Sequence, residues 1–228
     1  VLAVVFPQLC PACQQALDRP TRGPLCGSCW LSLPRHRQAG CACGGPAPAD
    51  GACGRCRRGL SAFGCGASLG PYEGTLRTAI HELKYGGQRR VAARLVEAAL
   101  EDDSVRALVA PGAVLVPVPL HPRRRRERGF NQSELLAREL ARRTGASVAP
   151  AALVRRLDTP AQTGLSAAAR RANVRGAFAV RQRARVAGRV VVLIDDVFTT
   201  GATAQACARL LRQAGAADVR LLTMARVS

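Results

Sequence analysis

Two uninterrupted apolar runs stand out along the chain. Val190-Val191-Val192-Leu193-Ile194 is apolar and mostly β-branched with no polar alternation, the pattern of a strand buried on both faces. Val114 to Leu120 is the second, with Pro117 and Pro119 suited to its terminal residues rather than its middle. Behind the first run, Ala204, Cys207, Leu210, Leu211 and Ala214 recur at helical spacing, and Gly215 closes that helix. Behind the second, past a basic stretch, a helix is predicted to about Arg143. Asp218 to Met224 reads as a last strand, and the glycine-rich stretch from Ala62 to Tyr72 as another. Leu76, Ile80, Leu83 and Tyr85 outline a short helix ended by Gly86-Gly87, and an amphipathic helix follows from about Val91 to Leu100. Glu101-Asp102-Asp103 marks its exit, since acids there oppose the helix dipole. Strands alternating with helices imply an α/β fold around a parallel sheet, which binds ligands at the carboxyl ends of its strands.

The head of the chain departs from this pattern. Cys10-Pro-Ala-Cys13 and Cys26-Gly-Ser-Cys29 form C-x2-C-x12-C-x2-C, in which two knuckles complete a tetrahedral four-sulfur site with no open position. Cys41-Ala-Cys43 and Cys53-Gly-Arg-Cys56 form a second set whose first pair is spaced by one residue instead of two. Structural zinc, one ion or two, is the expected occupant, and its binding would supply the folding energy of so small a segment. Thiol–disulfide exchange is the rival reading of a C-x-x-C pair, but four pairs so close together fit a metal framework better. Leu25, Trp30, Leu31 and Leu33 are expected to pack beside the sulfurs, and Cys65 and Cys207 to be small core residues. The apolar start, Val1 to Pro7, is too short to span a bilayer and lacks a basic leader, so a cytoplasmic location is expected.

The turn after Ile194 carries the main candidate chemistry: Asp195-Asp196-Val197-Phe198-Thr199-Thr200-Gly201-Ala202-Thr203. Backbone N–H groups at a helix start, with threonine hydroxyls around them, suit a phosphate. The two carboxylates do not, so sugar hydroxyls, met directly or through a divalent metal, are their natural partners. An acidic strand end before a Thr-capped helix would explain one hydroxyl and neither carboxylate. The succession resembles the signature of type I phosphoribosyltransferases, which bind phosphoribosyl pyrophosphate (PRPP). That resemblance assigns the ribose 2′- and 3′-hydroxyls to Asp195 and Asp196, and the 5′-phosphate to the loop from Val197 through Thr203.

His121-Pro-Arg123-Arg124-Arg125-Arg126-Glu-Arg128-Gly-Phe-Asn131-Gln-Ser133 follows the second apolar run, and parallel pairing would put it on the same rim as the turn. It would meet the pyrophosphate, with Arg128 and Arg124 as first candidates, while Asn131 caps the next helix. Solvated charge or a nucleic-acid patch is the plain alternative for such a run. The Arg-Gly-Phe-Asn-Gln segment, the stretch from Leu76 to Tyr85 and the cysteine-rich head resemble the ComF family across nearly the whole chain. The resemblance implies a parallel-sheet phosphoribosyltransferase core over residues 61–228 and a double zinc ribbon over residues 1–60. It also implies PRPP and Mg2+ as ligands, a link to competence and DNA uptake, and a competence-machinery protein as partner. Gln162, Arg170, Arg171 and Asn173 match recurrent family positions within a polar, basic segment, residues 153–187, read as a flap. After the last strand no segment remains for a hood over the acceptor, so the flap, the head or a partner is expected to recognise it.

Charge adds one more reading. The formal net charge is +19, and Arg accounts for all but one of the 34 basic residues, Lys84 being the exception. Basic excess runs through both parts of the chain, which favours polyanions and makes a single-stranded-DNA-binding module that keeps the fold without the chemistry the second functional reading. Lys84 is expected to be an ordinary exposed helix lysine, with a phosphate contact as the alternative, and His81 to face solvent.

Overall fold

Both apolar runs are inner strands of one sheet in a computed structural model of the chain, which describes residues 8–17, 23–36, 41, 53–57, 61–157 and 176–227. The elements run α1 (Gly27–Leu31), α2 (Gly54–Arg57), β1 (Gly66–Pro71), α3 (Gly74–Tyr85), α4 (Val91–Ala99), α5 (Asp103–Leu108), β2 (Val114–Pro117), α6 (Pro122–Arg128) and α7 (Gln132–Thr144). They continue β3 (Ser147–Val148), β4 (Leu153–Arg155), β5 (Phe178–Val180), β6 (Val190–Phe198), α8 (Ala202–Gln213) and β7 (Asp218–Arg226). Five strands pair in parallel in the order β1-β7-β6-β2-β3, and β4 pairs with β5 in a separate antiparallel ribbon.

The central strand β6 is buried on both faces because its whole apolar run is needed to seat helices on either side. Val192 and Ile194 pack with Leu76, Leu95 and Leu136 of α3, α4 and α7. Val191 and Leu193 pack with Cys207 and Leu211 of α8 and with Phe178 of β5. Register fixes the rim: Pro117 lies opposite Ile194, and Phe198 opposite Arg226. The carboxyl ends of β1, β2, β6 and β7 therefore open on one side, with the arginine-rich segment after β2 and the threonine-rich loop after β6.

Three local readings change. The acidic run 101–103 opens a helix as well as following one: the Asp102 carboxylate accepts from the Ser104 N–H at 2.7 Å and caps α5, where its charge suits the dipole. The basic run is itself a helix, α6, capped by His121, started by Pro122 and stopped by Gly129 in the left-handed region at φ 76°. Asp195 and Asp196 belong to the last turn of pairing of β6, not to the loop beyond it, because β7 continues opposite them to Arg226.

The head straddles the edge strand β1. Leu25, Trp30 and Leu33 join the core on the α3–α4 face, whereas Leu31 is 88% exposed, contrary to the expected packing, since it lies on the outer face of the short α1. The Arg94 guanidinium sits 5.4 Å over the Trp30 ring, and Arg35 pairs with Glu101 at 2.7 Å. Cys41 joins the opposite core with Phe63. The His36 N–H donates to the Leu69 carbonyl at 3.1 Å, covering an edge that would otherwise offer unpaired groups. Cys207 is fully buried as expected, while Cys65 is only half-buried.

Close approach of the head depends on Gly70. A Cβ there would lie 1.9 Å from the Pro34 carbonyl oxygen, a backbone atom that cannot swing aside. Gly70→Ala is expected to destabilise the protein by roughly 1–3 kcal/mol in denaturant unfolding, the cost of overpacking.

Candidate functional site

The two acids sit side by side at the carboxyl end of β6, and each has a partner from a different helix. Asp196 is buried, and its Oδ2 pairs with Lys84 Nζ of α3 at 2.5 Å. Asp195 is half-buried, and its Oδ1 accepts from the Ser133 hydroxyl of α7 at 3.1 Å and from the Asp196 N–H at 2.9 Å. Ser133 is placed by the cap of α7, where Asn131 Oδ1 accepts from the Ser133 N–H at 3.0 Å and Asn131 Nδ2 donates to the Val118 carbonyl at 3.0 Å. Burial pushes the Asp195 carboxyl up to about 8; the neighbouring Asp196 charge adds to the rise and Lys84 opposes it. Burial alone would lower Lys84, but the charge and hydrogen bond of Asp196 outweigh it, so the ammonium is held above its ordinary value.

Lys84 therefore departs from the expected exposed state: its side chain is 18% exposed and turned to the acids. The signal that could have found it is compositional, since an arginine-rich chain keeps its single lysine at this position. His81 is exposed as expected, with its ring 4.9 Å from that of Tyr85.

Beyond the acids the loop tightens into α8. Gly201 takes φ 73°, and a Cβ there would lie 2.3 Å from the Phe198 ring, so both conformation and space require glycine. Phe198 is buried, edge-on to Phe63 at 6.4 Å between ring centroids and beneath the Arg226 guanidinium at 4.1 Å. A contact from Phe198 to a ligand would come from its backbone, and Val197 likewise packs its side chain against the core. Thr199 is exposed, Thr200 and Thr203 are half-buried, and Gly201 and Ala202 are buried at the start of α8.

On the other flank, Arg124 and Arg128 lie one turn apart on α6 and are its half-buried arginines, while Arg123, Arg125 and Arg126 are exposed. Arg128 lies 5.1 Å over the Tyr85 ring and donates to Gln132 Oε1 at 2.6 Å. Arg124 has no ion pair among the described residues, whereas Arg125 pairs with Glu134 at 3.3 Å. Beside this helix opens a cleft of about 400 Å³ lined by Leu120, Asn131, Glu134, Arg138, Arg155 and Arg181 among others. β4 and β5 form the base of the segment read as a flap; Gln162, Arg170, Arg171 and Asn173 fall outside the described residues.

Cysteine sulfurs converge in two places. The Sγ atoms of Cys10, Cys13, Cys26 and Cys29 all lie within 4.8 Å of one another, and so do those of Cys41, Cys53 and Cys56. Cys43, the expected fourth member of the second set, lies outside the described residues. The Ser28 hydroxyl, 3.1 Å from Cys26 Sγ, holds that thiol down to about 6, a thiolate suited to a soft cation. The first set fits a closed tetrahedral zinc site.

Comparison with known proteins agrees with both halves. Residues 1–57 match the double zinc ribbon domain, and residues 132–228 the phosphoribosyl transferase domain. The chain is 34% identical to DNA utilization protein YhgH of Salmonella typhimurium over 98% of this chain and 99% of that protein. It is 31% identical to competence protein F of Haemophilus influenzae over 96% of this chain and 90% of that protein. The chain belongs to the ComF family. Competence protein ComFC of Bacillus subtilis matches a shorter part, 37% identical over 50% of this chain and 44% of that protein. The double zinc ribbon match thus precedes the phosphoribosyl transferase match along the chain, and together with the cysteine clusters it supports structural zinc in the head. No helix among the described residues is long and apolar enough to cross a membrane.

Two outcomes follow from this geometry. Trp30, the only tryptophan, packs in the core beside the first cysteine set, so Cys29→Ser is expected to lower bound zinc by atomic absorption and to shift Trp30 emission to the red. Asp195 binds its proton more tightly folded than unfolded, so wild-type stability should fall as pH rises from about 4 toward 8 and level off above. Asp195→Asn is expected to lack that fall and to melt above the wild type at pH 8, with the gap closing near pH 4, as measured by melting temperature against pH.

Proposed function

We propose that this ComF protein binds PRPP with Mg2+ along the carboxyl rim of its sheet and transfers the phosphoribosyl group. One observation carries the reading: the acid pair at the end of β6, the loop that starts α8 and the arginine-bearing α6 all open on one rim. A molecule with a phosphate at one end, a pyrophosphate at the other and a diol between them fits that order of groups.

On this reading Asp195 and Asp196 hold the ribose 2′- and 3′-hydroxyls, and the segment from Val197 through Thr203 holds the 5′-phosphate through backbone N–H groups and hydroxyls. Arg124 and Arg128 meet the pyrophosphate, where positive charge is most useful as the bond to C1 breaks and negative charge gathers on the leaving group. Mg2+, a hard cation, suits the oxygen donors offered here and, when bound, would neutralise charge on the pyrophosphate. The segment between β4 and β5, including Gln162, Arg170, Arg171 and Asn173, would close over C1 and keep water from the cationic centre. We place the boundary between the two zinc-bearing pairs of knuckles, residues 1–60, and the transferase-like part, residues 61–228, and assign one zinc to each cysteine set. A cytoplasmic setting, where thiols stay reduced, suits that assignment.

The name of one relative, a DNA utilization protein, with the +19 charge, supports the second reading, a single-stranded-DNA-binding module that keeps the fold without the transferase chemistry. Isothermal titration tests the proposal. PRPP binding should require Mg2+ and be lost, by a factor of roughly 100 or more, in the Asp195→Asn, Asp196→Asn double variant. Single-stranded DNA binding that survives this change, with no PRPP binding in the wild type, would make the protein a DNA-binding module instead.

A further inference from the structure

Lys84 is bound to the acids by a contact that neither the threonine-rich loop nor the arginine segment provides. The ammonium comes from the last turn of α3, 112 positions before its partner, and meets Asp196 through Oδ2. Ser133, from the first turn of α7, meets Asp195 through Oδ1. Each carboxylate is thus tied by one oxygen to one helix, at the end of a strand that is apolar from Val190 to Ile194. Two adjacent carboxylates at the end of a buried strand repel each other, and a cation beside one of them relieves the repulsion for both.

The identity of the cation matters as well. Of 34 basic residues only this one is lysine. A lysine ammonium is a compact point charge that rotates freely on its stem, whereas a guanidinium is planar and wider and forks toward two acceptors. In the space between α3 and β6, with Asp196 4% exposed, a fork would reach for both carboxylates and occupy the oxygens that a ligand needs.

We infer that Lys84 is a positioning residue: it ties down Oδ2 of Asp196, as Ser133 ties down Oδ1 of Asp195, so that each acid turns its remaining oxygen to a vicinal diol of the ligand. This rests on the proposed PRPP site and adds α3 to the elements that build it. The residue acts through Asp196 and does not itself touch the sugar.

The single lysine makes the test direct, because protein grown with isotopically labelled lysine gives one side-chain Nζ signal. In the unliganded wild type that signal should be resolved from solvent-averaged amines, move in Asp196→Asn, and move again when PRPP and Mg2+ are added. Lys84→Met should weaken PRPP binding by roughly tenfold or more, as expected for loss of a buried charge partner, with bound zinc and circular dichroism unchanged. Lys84→Arg should fail to restore affinity. A wild-type PRPP affinity kept in Lys84→Met, a full rescue by Lys84→Arg, or a signal typical of a solvent-exposed amine would each overturn the inference while leaving the PRPP reading in place. Absence of any PRPP response in the wild type would overturn that reading and this inference together. If Lys84→Met does not fold, the wild-type Nζ signal alone decides: a signal unmoved by PRPP that the wild type demonstrably binds overturns the inference.

Discussion

Two neighbouring carboxylates at the end of a strand buried on both faces set the terms for everything around them. Placing such charges where water is scarce is costly, and placing them next to each other is more so. The fold meets this with one ammonium from α3 and one hydroxyl from α7, which is why those helices must end and begin where they do. Gly86 stops α3 just after Lys84, and Asn131 starts α7 just before Ser133. Helix boundaries that look like matters of local propensity thus aim the groups that hold the acids.

The same rim links the acids to the rest of the molecule. Phe198 carries the strand into the loop and packs against Phe63, which shares a core with Cys41. Ala62, next to Phe63, donates its N–H to Gln205 of α8 at 2.7 Å. The head therefore reaches the threonine-rich-loop end of the rim through the face of the sheet that holds the second cysteine set. The first set anchors the opposite face through Trp30 and Leu33. Metal sites in such positions would do more than fold a small appendage, since the core on each face of the sheet includes residues of one cysteine set.

Much of this was legible in residue order. The apolar runs, the helical spacing after Gly201 and the cysteine pairs follow from short-range pattern, and they fixed the α/β class, the parallel rim and the first sulfur cluster. What pattern could not reach was tertiary. Lys84 and Asp196 are distant in sequence, and lysine on a helix is exposed unless something far away calls it inward. The acids at 101–103 oppose the dipole of the helix they follow and suit the one they open, and only the chain's next turn reveals the second role. The arginine run hid a helix because four like charges oppose one in isolation; Pro122, His121 and Gly129 at its ends and Glu127 and Glu134 beside it favour it here.

PRPP gripped along one rim would be seen in a crystal structure of the protein soaked with PRPP and Mg2+. The 5′-phosphate is expected within hydrogen-bond reach of residues 199–203, the ribose hydroxyls on Asp195 and Asp196 with Lys84 still on Asp196, and the pyrophosphate toward Arg124 and Arg128. PRPP bound at any other surface, or a rim left without ligand while the acids keep only their protein partners, would contradict it.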